Sequence, residues 1–204
     1  MKEFTYKTSF ASIIKPVVSK DFDFFLAKAS LEQLRGLIPN VNADTNYDLL
    51  PISVNLFNVN LFNRNDDGVD TAFALQIYKS FINKPWNLNH HRNNNVGVIL
   101  SAHITEYGTD KPLTEEEIKD TEDIFNITVG GVLWRTVNED LAELIEDSNG
   151  VLDENFDKIK ASFEVGFTDY KLVKCPANSR ALADGVIIED TDEIEKLSKS
   201  LKAF

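Results

Sequence analysis

Between positions 159 and 169 apolar and polar residues alternate without a break. Ile159, Ala161, Phe163, Val165 and Phe167 fall on one face of an extended chain, and Ser162, Glu164, Gly166 and Thr168 on the other. A chain containing such a segment must bury one face of a strand and leave the other toward water. Ile52, Val54 and Leu56 alternate with Ser53 and Asn55 in the same way. That second segment carries an oddity: Val54-Asn55-Leu56-Phe57-Asn58 is repeated at once as Val59-Asn60-Leu61-Phe62-Asn63. A tandem of five matches neither strand nor helix periodicity, and two copies are too few for a repeat architecture. The expectation is a strand that bends or bulges.

β-branched residues from Val96 to Glu106 predict a further strand, and Val129-Gly130-Gly131-Val132-Leu133-Trp134 a buried one passing close to other backbone. A short strand is expected at 186–188, after the Asp184-Gly185 turn. Between the strands lie helices with legible ends. Ser19 precedes Phe22, Phe25, Leu26 and Ala29 at helical spacing, and Gly36 with Pro39 ends the segment, predicting one broken helix. The turn sequence NRNDDG at 63–68 leads to Asp70, which caps a helix expected to bury Val69, Phe73, Ile77 and Phe81 and to end at Lys84-Pro85. Thr114 and Glu117 form a capping box with Leu113 and Ile118 as its hydrophobic staple. Asn138 opens a helix with Leu141, Leu144 and Ile145 inward and Asn149-Gly150 at its end; Asp192 and Glu195 box a last one carrying Ile194, Leu197 and Leu201. Strands and helices interleave without a regular βαβ rhythm, which predicts an α+β fold: a mostly antiparallel, barrel-like sheet surrounded by helices. At 204 residues one domain is expected, spanning 1–204, with an acidic C-terminal helix at about 190–204.

Composition removes several classes of function. Lys plus Arg is 21 against 33 for Asp plus Glu, a net charge of −12, and no cluster of five or more basic residues occurs, so nucleic acid is not an expected partner. No apolar run approaches the roughly 18 residues of a spanning helix, and Met1-Lys2-Glu3-Phe4 leads into polar sequence, so no membrane and a cytosolic location are expected. The one cysteine, Cys175, excludes an internal disulfide and agrees with a reducing compartment.

Two of the three histidines are adjacent, His90 and His91. If 86–90 is extended, Trp86, Leu88 and His90 share a face while His91 points away. Histidine is the usual general base, though a histidine that simply fastens a loop fits the same residues. Ser162 sits mid-strand on a polar face, where a solvent-facing serine is commonplace and a nucleophile would need an adjacent base. His90, His91, His103 and Cys175 do not make a metal set, because neighbouring histidines on a strand face opposite ways and no second cysteine exists. Gly130-Gly131 lacks the frame of a phosphate-binding loop. The acidic stretch at 189–195 is most simply a solvated helix entry.

In order along the chain, NRNDDG, an amphipathic helix, KPWNLNHHRNNNVGVILSA at 84–102, GGVLW at 130–134, a helix and KASFEVGFTDY at 160–170 resemble the prohead maturation proteases of tailed phages, particularly the myovirus-like branch. The resemblance covers roughly 63–170, about half of the chain. In that family a histidine precedes a Val/Ile-Gly pair by about seven residues; His90 stands seven before Gly97 and His91 six, which favours His90. The family's nucleophile is a serine in a strand of the type Ser-x-Glu, similar to Ser162-Phe163-Glu164 with Gly166-Phe167 beyond it. The fold is shared with herpesvirus assemblin, whose His-to-Ser interval is similar to the 72 residues here. The resemblance implies a cofactor-free serine endopeptidase with Ser162 as nucleophile and His90 as base. It implies work inside the assembling prohead, in the host cytoplasm, on scaffold and major capsid proteins and on the chain itself, with a homo-oligomer compatible. Assemblin's second histidine comes after its serine, and no histidine comes after His103 here, so the third member is Asp169, with Glu164 or His103 as alternatives. Arg180, in Asn178-Ser179-Arg180, is the candidate oxyanion donor. The family's preference for Leu/Ile-x-Glu offers Leu141-Ala142-Glu143, Leu144-Ile145-Glu146 and Ile187-Ile188-Glu189, and self-cleavage is expected after Glu189. Two rivals stand beside this: an inactive capsid or scaffold component keeping the protease fold, and a binding module whose contact strand is the duplicated VNLFN.

Overall fold

The computed structural model describes residues 6–16, 47–109, 111–147, 160–167 and 169–201. The broken helix expected from Ser19, the Asn149-Gly150 stop, and Ile159 and Thr168 of the alternating segment lie outside the described residues.

One antiparallel sheet contains β1 (Tyr6–Pro16), β2 (Leu49–Val59), β3 (Pro85–Asn87), β4 (Asn95–Glu106), β5 (Pro112–Leu113), β6 (Phe125–Trp134) and β7 (Lys160–Phe167). Their spatial order is β3-β4-β6-β2-β1-β7, with β5 also on β4. A separate two-stranded sheet pairs β8 (Val173–Lys174) with β9 (Val186–Ile187). Four helices occur among the described residues: α1 (Thr71–Ile77), α2 (Glu115–Ile118), α3 (Glu139–Asp147) and α4 (Thr191–Leu201). The fold class is α+β and antiparallel, but the expected barrel needs correcting. Closure requires a continuous ladder between the end strands. No ladder joins β3 or β5 to β7 among the described residues.

β6 is central because its sequence allows close approach on both sides. It pairs with β2 through Leu49↔Trp134 to Val59↔Phe125 and with β4 through Gly97↔Leu133 to Glu106↔Phe125. A Cβ on Gly131 would lie 2.3 Å from the Val98 carbonyl oxygen, and one on Gly97 2.1 Å from that of Val132, so only glycine fits at either place.

The tandem VNLFN resolves into a bulge. Asn55 faces Thr128 and Phe57 faces Ile127, which leaves Leu56 without an opposite residue. Val54 and Val59, five residues apart, would face opposite sides of a regular strand; the extra residue restores the phase, and both are fully buried. Ile52, Val54, Phe57 and Val59 therefore join Ile99, Ile104, Ile127 and Val129 in one core. Burying each such side chain stabilises the fold by about 1.5–3 kcal/mol.

Helix ends obey capping chemistry, with corrections in detail. Asp70 accepts a hydrogen bond from the Phe73 N–H at 2.8 Å, and Thr114 and Glu117 form the reciprocal box. α1 tightens into a 3₁₀ turn at Tyr78–Phe81, so the expected stripe of Phe73, Ile77 and Phe81 is half-buried, and Thr71, Ala74 and Tyr78 are the fully buried residues. Asn138 caps α3 through the Leu141 N–H at 3.0 Å. Leu144, expected inward, is 41% exposed, because it lies about 200° around the helix from buried Ala142. For α4 the cap is Asp190, which accepts from the Glu193 N–H at 2.8 Å, not Asp192. The pattern of an acidic cap with an acidic residue three places on occurs twice there, and the earlier copy starts the helix.

At the end of β6, Arg135 is buried and bidentate to Glu146, stacks on the Tyr47 ring at 4.5 Å, and donates from Nε to the Tyr47 carbonyl at 2.8 Å. Hydrogen bonds from Arg135 hold the Glu146 carboxyl below the usual carboxylate range. Among the described residues no helix is long and apolar enough to cross a membrane.

Candidate active site

β7 pairs with β1, placing Ala11 opposite Ser162 and Phe10 opposite Phe163. The alternation read from the sequence holds from 161 to 165, where Ala161 is buried, Phe163 and Val165 pack half-buried on the core, and Ser162 and Glu164 are exposed; Gly166 and Phe167 are both half-buried. The Phe163 ring lies 5.2 Å from Phe57 and 5.1 Å, edge to face, from Phe81. Such pairs contribute about 0.5–1.5 kcal/mol each beyond the area they bury. Phe57 belongs to β2 and Phe81 to the turn that leads into β3, so the three rings draw the last strand of the sheet toward the first.

On the other side, β3 pairs Pro85 with Val98, Trp86 with Gly97 and Asn87 with Asn95, leaving Val96 as an extra residue. The backbone then stops being extended. Leu88–His90 form a tight turn in which Asn89 (φ 52°) and His90 (φ 58°) are both left-handed. This conformation costs about 1–2 kcal/mol for an ordinary L-residue and less for Asn. Three backbone bonds impose it: Leu88 N–H to Asn94 O at 3.0 Å, His91 N–H to Leu88 O at 2.9 Å, and Asn94 N–H to His91 O at 2.9 Å. As a result Trp86 and Leu88 are half-buried against the core while Asn89 and His90 are exposed. The expected common face of Trp86, Leu88 and His90 is thereby corrected, since strand alternation ends at Asn87.

The two segments meet. Ser162 Oγ lies 2.6 Å from His90 Nε2, and both side chains are open to solvent. With the ring proton on Nδ1, Nε2 accepts the serine proton, the arrangement that activates a hydroxyl nucleophile. His91 is exposed and joins the turn through its backbone.

The other sequence candidates are more scattered. Asp169 is exposed, and its Oδ1 accepts from the Tyr170 N–H at 2.8 Å. It lines a cavity of about 340 Å³ with Tyr170, Leu172, Ile187, Ile188 and Ile194, and it lies seven residues, roughly 23 Å of extended chain, from Ser162. His103 is half-buried opposite Thr128, toward the β5 end of β4 and about 20 Å along the strand from Gly97. Glu164 is exposed on the same face as Ser162, two residues on, which makes it the nearest of the three along the chain. Arg180 Nη2 is 3.9 Å from Asp66 Oδ1, and its carbonyl accepts from the Phe62 N–H at 2.8 Å, so its charge faces the turn at 63–68. Among the described residues no group of three His, Cys, Asp or Glu side chains could hold a metal ion.

Sequence reasoning does not single out Phe57, Phe81 and Asn89 as contributors to this geometry. The Asn-rich stretch at 93–95 and the Asn before His90 are the available signals, since asparagine tolerates left-handed backbone better than most residues. No family model, no curated protein and no solved structure matches this chain.

Proposed function

We propose that the protein is a serine endopeptidase on an assemblin-like fold, cutting scaffold and major capsid proteins inside an assembling phage head, and itself after Glu189. The observation that carries the proposal is the 2.6 Å contact between Ser162 Oγ and His90 Nε2. The resemblance names the same two residues, 72 positions apart; β3, which leads into the His90 turn, and β7, which carries Ser162, stand at opposite ends of the sheet order.

His90 takes the Ser162 proton as Oγ attacks the peptide carbonyl, then returns it to the leaving amine. The acyl-enzyme is hydrolysed by a water that His90 activates in turn. The sequence of steps balances without a cofactor. Of the three offered self-cleavage sites, two lie within α3, whereas Ile187-Ile188-Glu189 leads from β9 into α4 and ends on an exposed residue. An extended, accessible segment is the easier substrate.

The test is a fluorophosphonate probe together with co-expressed scaffold and capsid proteins. Wild type is expected to form an adduct on Ser162 and to trim its co-expressed partners. Ser162→Ala should do neither, with an unchanged far-UV circular dichroism spectrum, since an exposed serine supplies little packing. An unlabelled wild type, or processing retained by Ser162→Ala, refutes the assignment.

A further inference from the structure

We infer that Trp86 is the positioning residue that holds His90 against Ser162, an inference that rests on the reading of His90 as the base of that serine. β3 is three residues long, and Pro85 brings no N–H to its ladder. The pairing slips immediately after Trp86, where Val96 is the extra residue on β4. Backbone bonds flank the strand, Asn83 N–H to Ile99 O at 2.8 Å and Ile99 N–H to Lys84 O at 2.9 Å before it and Leu88 N–H to Asn94 O at 3.0 Å after it, and within the strand Trp86 is the large side chain packed on the core. Its indole reaches past its own partner strand to β6: a Cβ on Gly131 would lie 2.9 Å from Trp86 Nε1. The absence of side chains at Gly97, opposite Trp86, and at Gly131 leaves a floor onto which a flat ring fits. The indole N–H is buried and finds no acceptor among the described residues. Shape and apolar packing seat the ring on this floor.

Just beyond this strand the backbone turns left-handed at Asn89 and His90. Two such residues in succession persist only where the flanking chain is held. Trp86 and Leu88 are the flanking side chains packed on the core, and Trp86 is the one that ties the turn to β6. If the ring is lost, β3 frays, the turn relaxes toward ordinary backbone, and His90 swings off Ser162.

The experiment compares Trp86→Leu and Trp86→Phe with wild type, each with and without Ser162→Ala. The readouts are the 15N shift of His90 Nε2, the rate of fluorophosphonate labelling and the thermal midpoint. In the Trp86-containing chain, removing the Ser162 hydroxyl should shift the His90 Nε2 resonance. In Trp86→Leu that difference should vanish while His91 and His103 keep their positions, and labelling should fall about 100-fold, as a displacement near 1 Å produces. Trp86→Phe should retain part of both, and it decides the matter if the leucine variant does not fold. Variants that melt earlier yet keep the His90 response and the labelling rate overturn the inference. A wild type that shows the His90 response without labelling refutes the protease reading alone, and the resonance comparison still decides the role of Trp86.

Discussion

The strand that carries Ser162 and the turn that carries His90 are held by different forces. Around Ser162 the backbone is ordinary extended chain, and its neighbours Ala161, Phe163 and Val165 are seated in the core. Around His90 the backbone is locally unfavourable and kept in place by three short-range bonds and the packing of Trp86 and Leu88. The serine is thus placed by burial of its neighbours and the histidine by a strained turn between two anchors. Damage to the strand should appear first as lost stability, and damage to the turn first as lost chemistry.

The largest expected effect is at the histidine itself. His90→Ala should slow fluorophosphonate labelling by about 10²- to 10⁴-fold, the usual worth of a general base, while His91→Ala changes it by only a few fold. Equal losses in the two variants would mean that the turn does not select between them. On the strand side, Phe163→Ala should lower stability in chemical denaturation by about 3 kcal/mol, the lower end for a core phenylalanine because this ring is half-buried. A stability loss well under 1 kcal/mol would show that the ring trio does not hold β7. Next, Asn89→Val places a β-branched residue at positive φ and should destabilise by about 1–2 kcal/mol and slow labelling, whereas Asn89→Gly should preserve both. The smallest effect is expected at Glu146, whose carboxylate is bound by Arg135. Glu146 has a lowered folded-state value, so its contribution is present above the ordinary carboxylate range and fades as pH falls through the lowered value. Glu146→Gln should therefore reduce stability near neutral pH by less than about 1 kcal/mol, given a side chain 43% exposed, and the gap to wild type should narrow in acid. Its labelling rate should match wild type; a matching fall in rate would erase the distinction between stability and chemistry.

The same contrast explains what is legible in the sequence. Period-two patterning is a direct image of burial, so β7 and the exposure of Ser162 can be read from it. Caps can be read where one pattern exists, as at Asp70 and Thr114, but not where two overlap, as at Asp190 and Asp192. The five-residue tandem announces an irregular strand, and the bulge at Leu56 is that irregularity. The turn at Leu88–His90 is not legible, because alternation reports nothing once φ becomes positive, and that choice depends on bonds to Asn94 across the loop. The openness of the sheet is equally hidden, since which strands pair with which is set in three dimensions and not by local patterning. The choice among Asp169, Glu164 and His103 needs three-dimensional placement, which sequence proximity does not supply.

The spatial order of the sheet sets a timetable for the Ser162–His90 pair. His90 lies just after β3, at one end of the order, and Ser162 lies in β7, at the other, with β4, β6, β2 and β1 between them. Their hydrogen bond joins the two ends of that order, so its geometry depends on the pairing of every strand between them. During synthesis His90 emerges 72 residues ahead of Ser162 and waits without that partner. A chain that is incomplete, or complete but not yet curled, carries an ordinary serine and an ordinary histidine. The contact between these two side chains is therefore a product of the whole sheet order and not of any local segment.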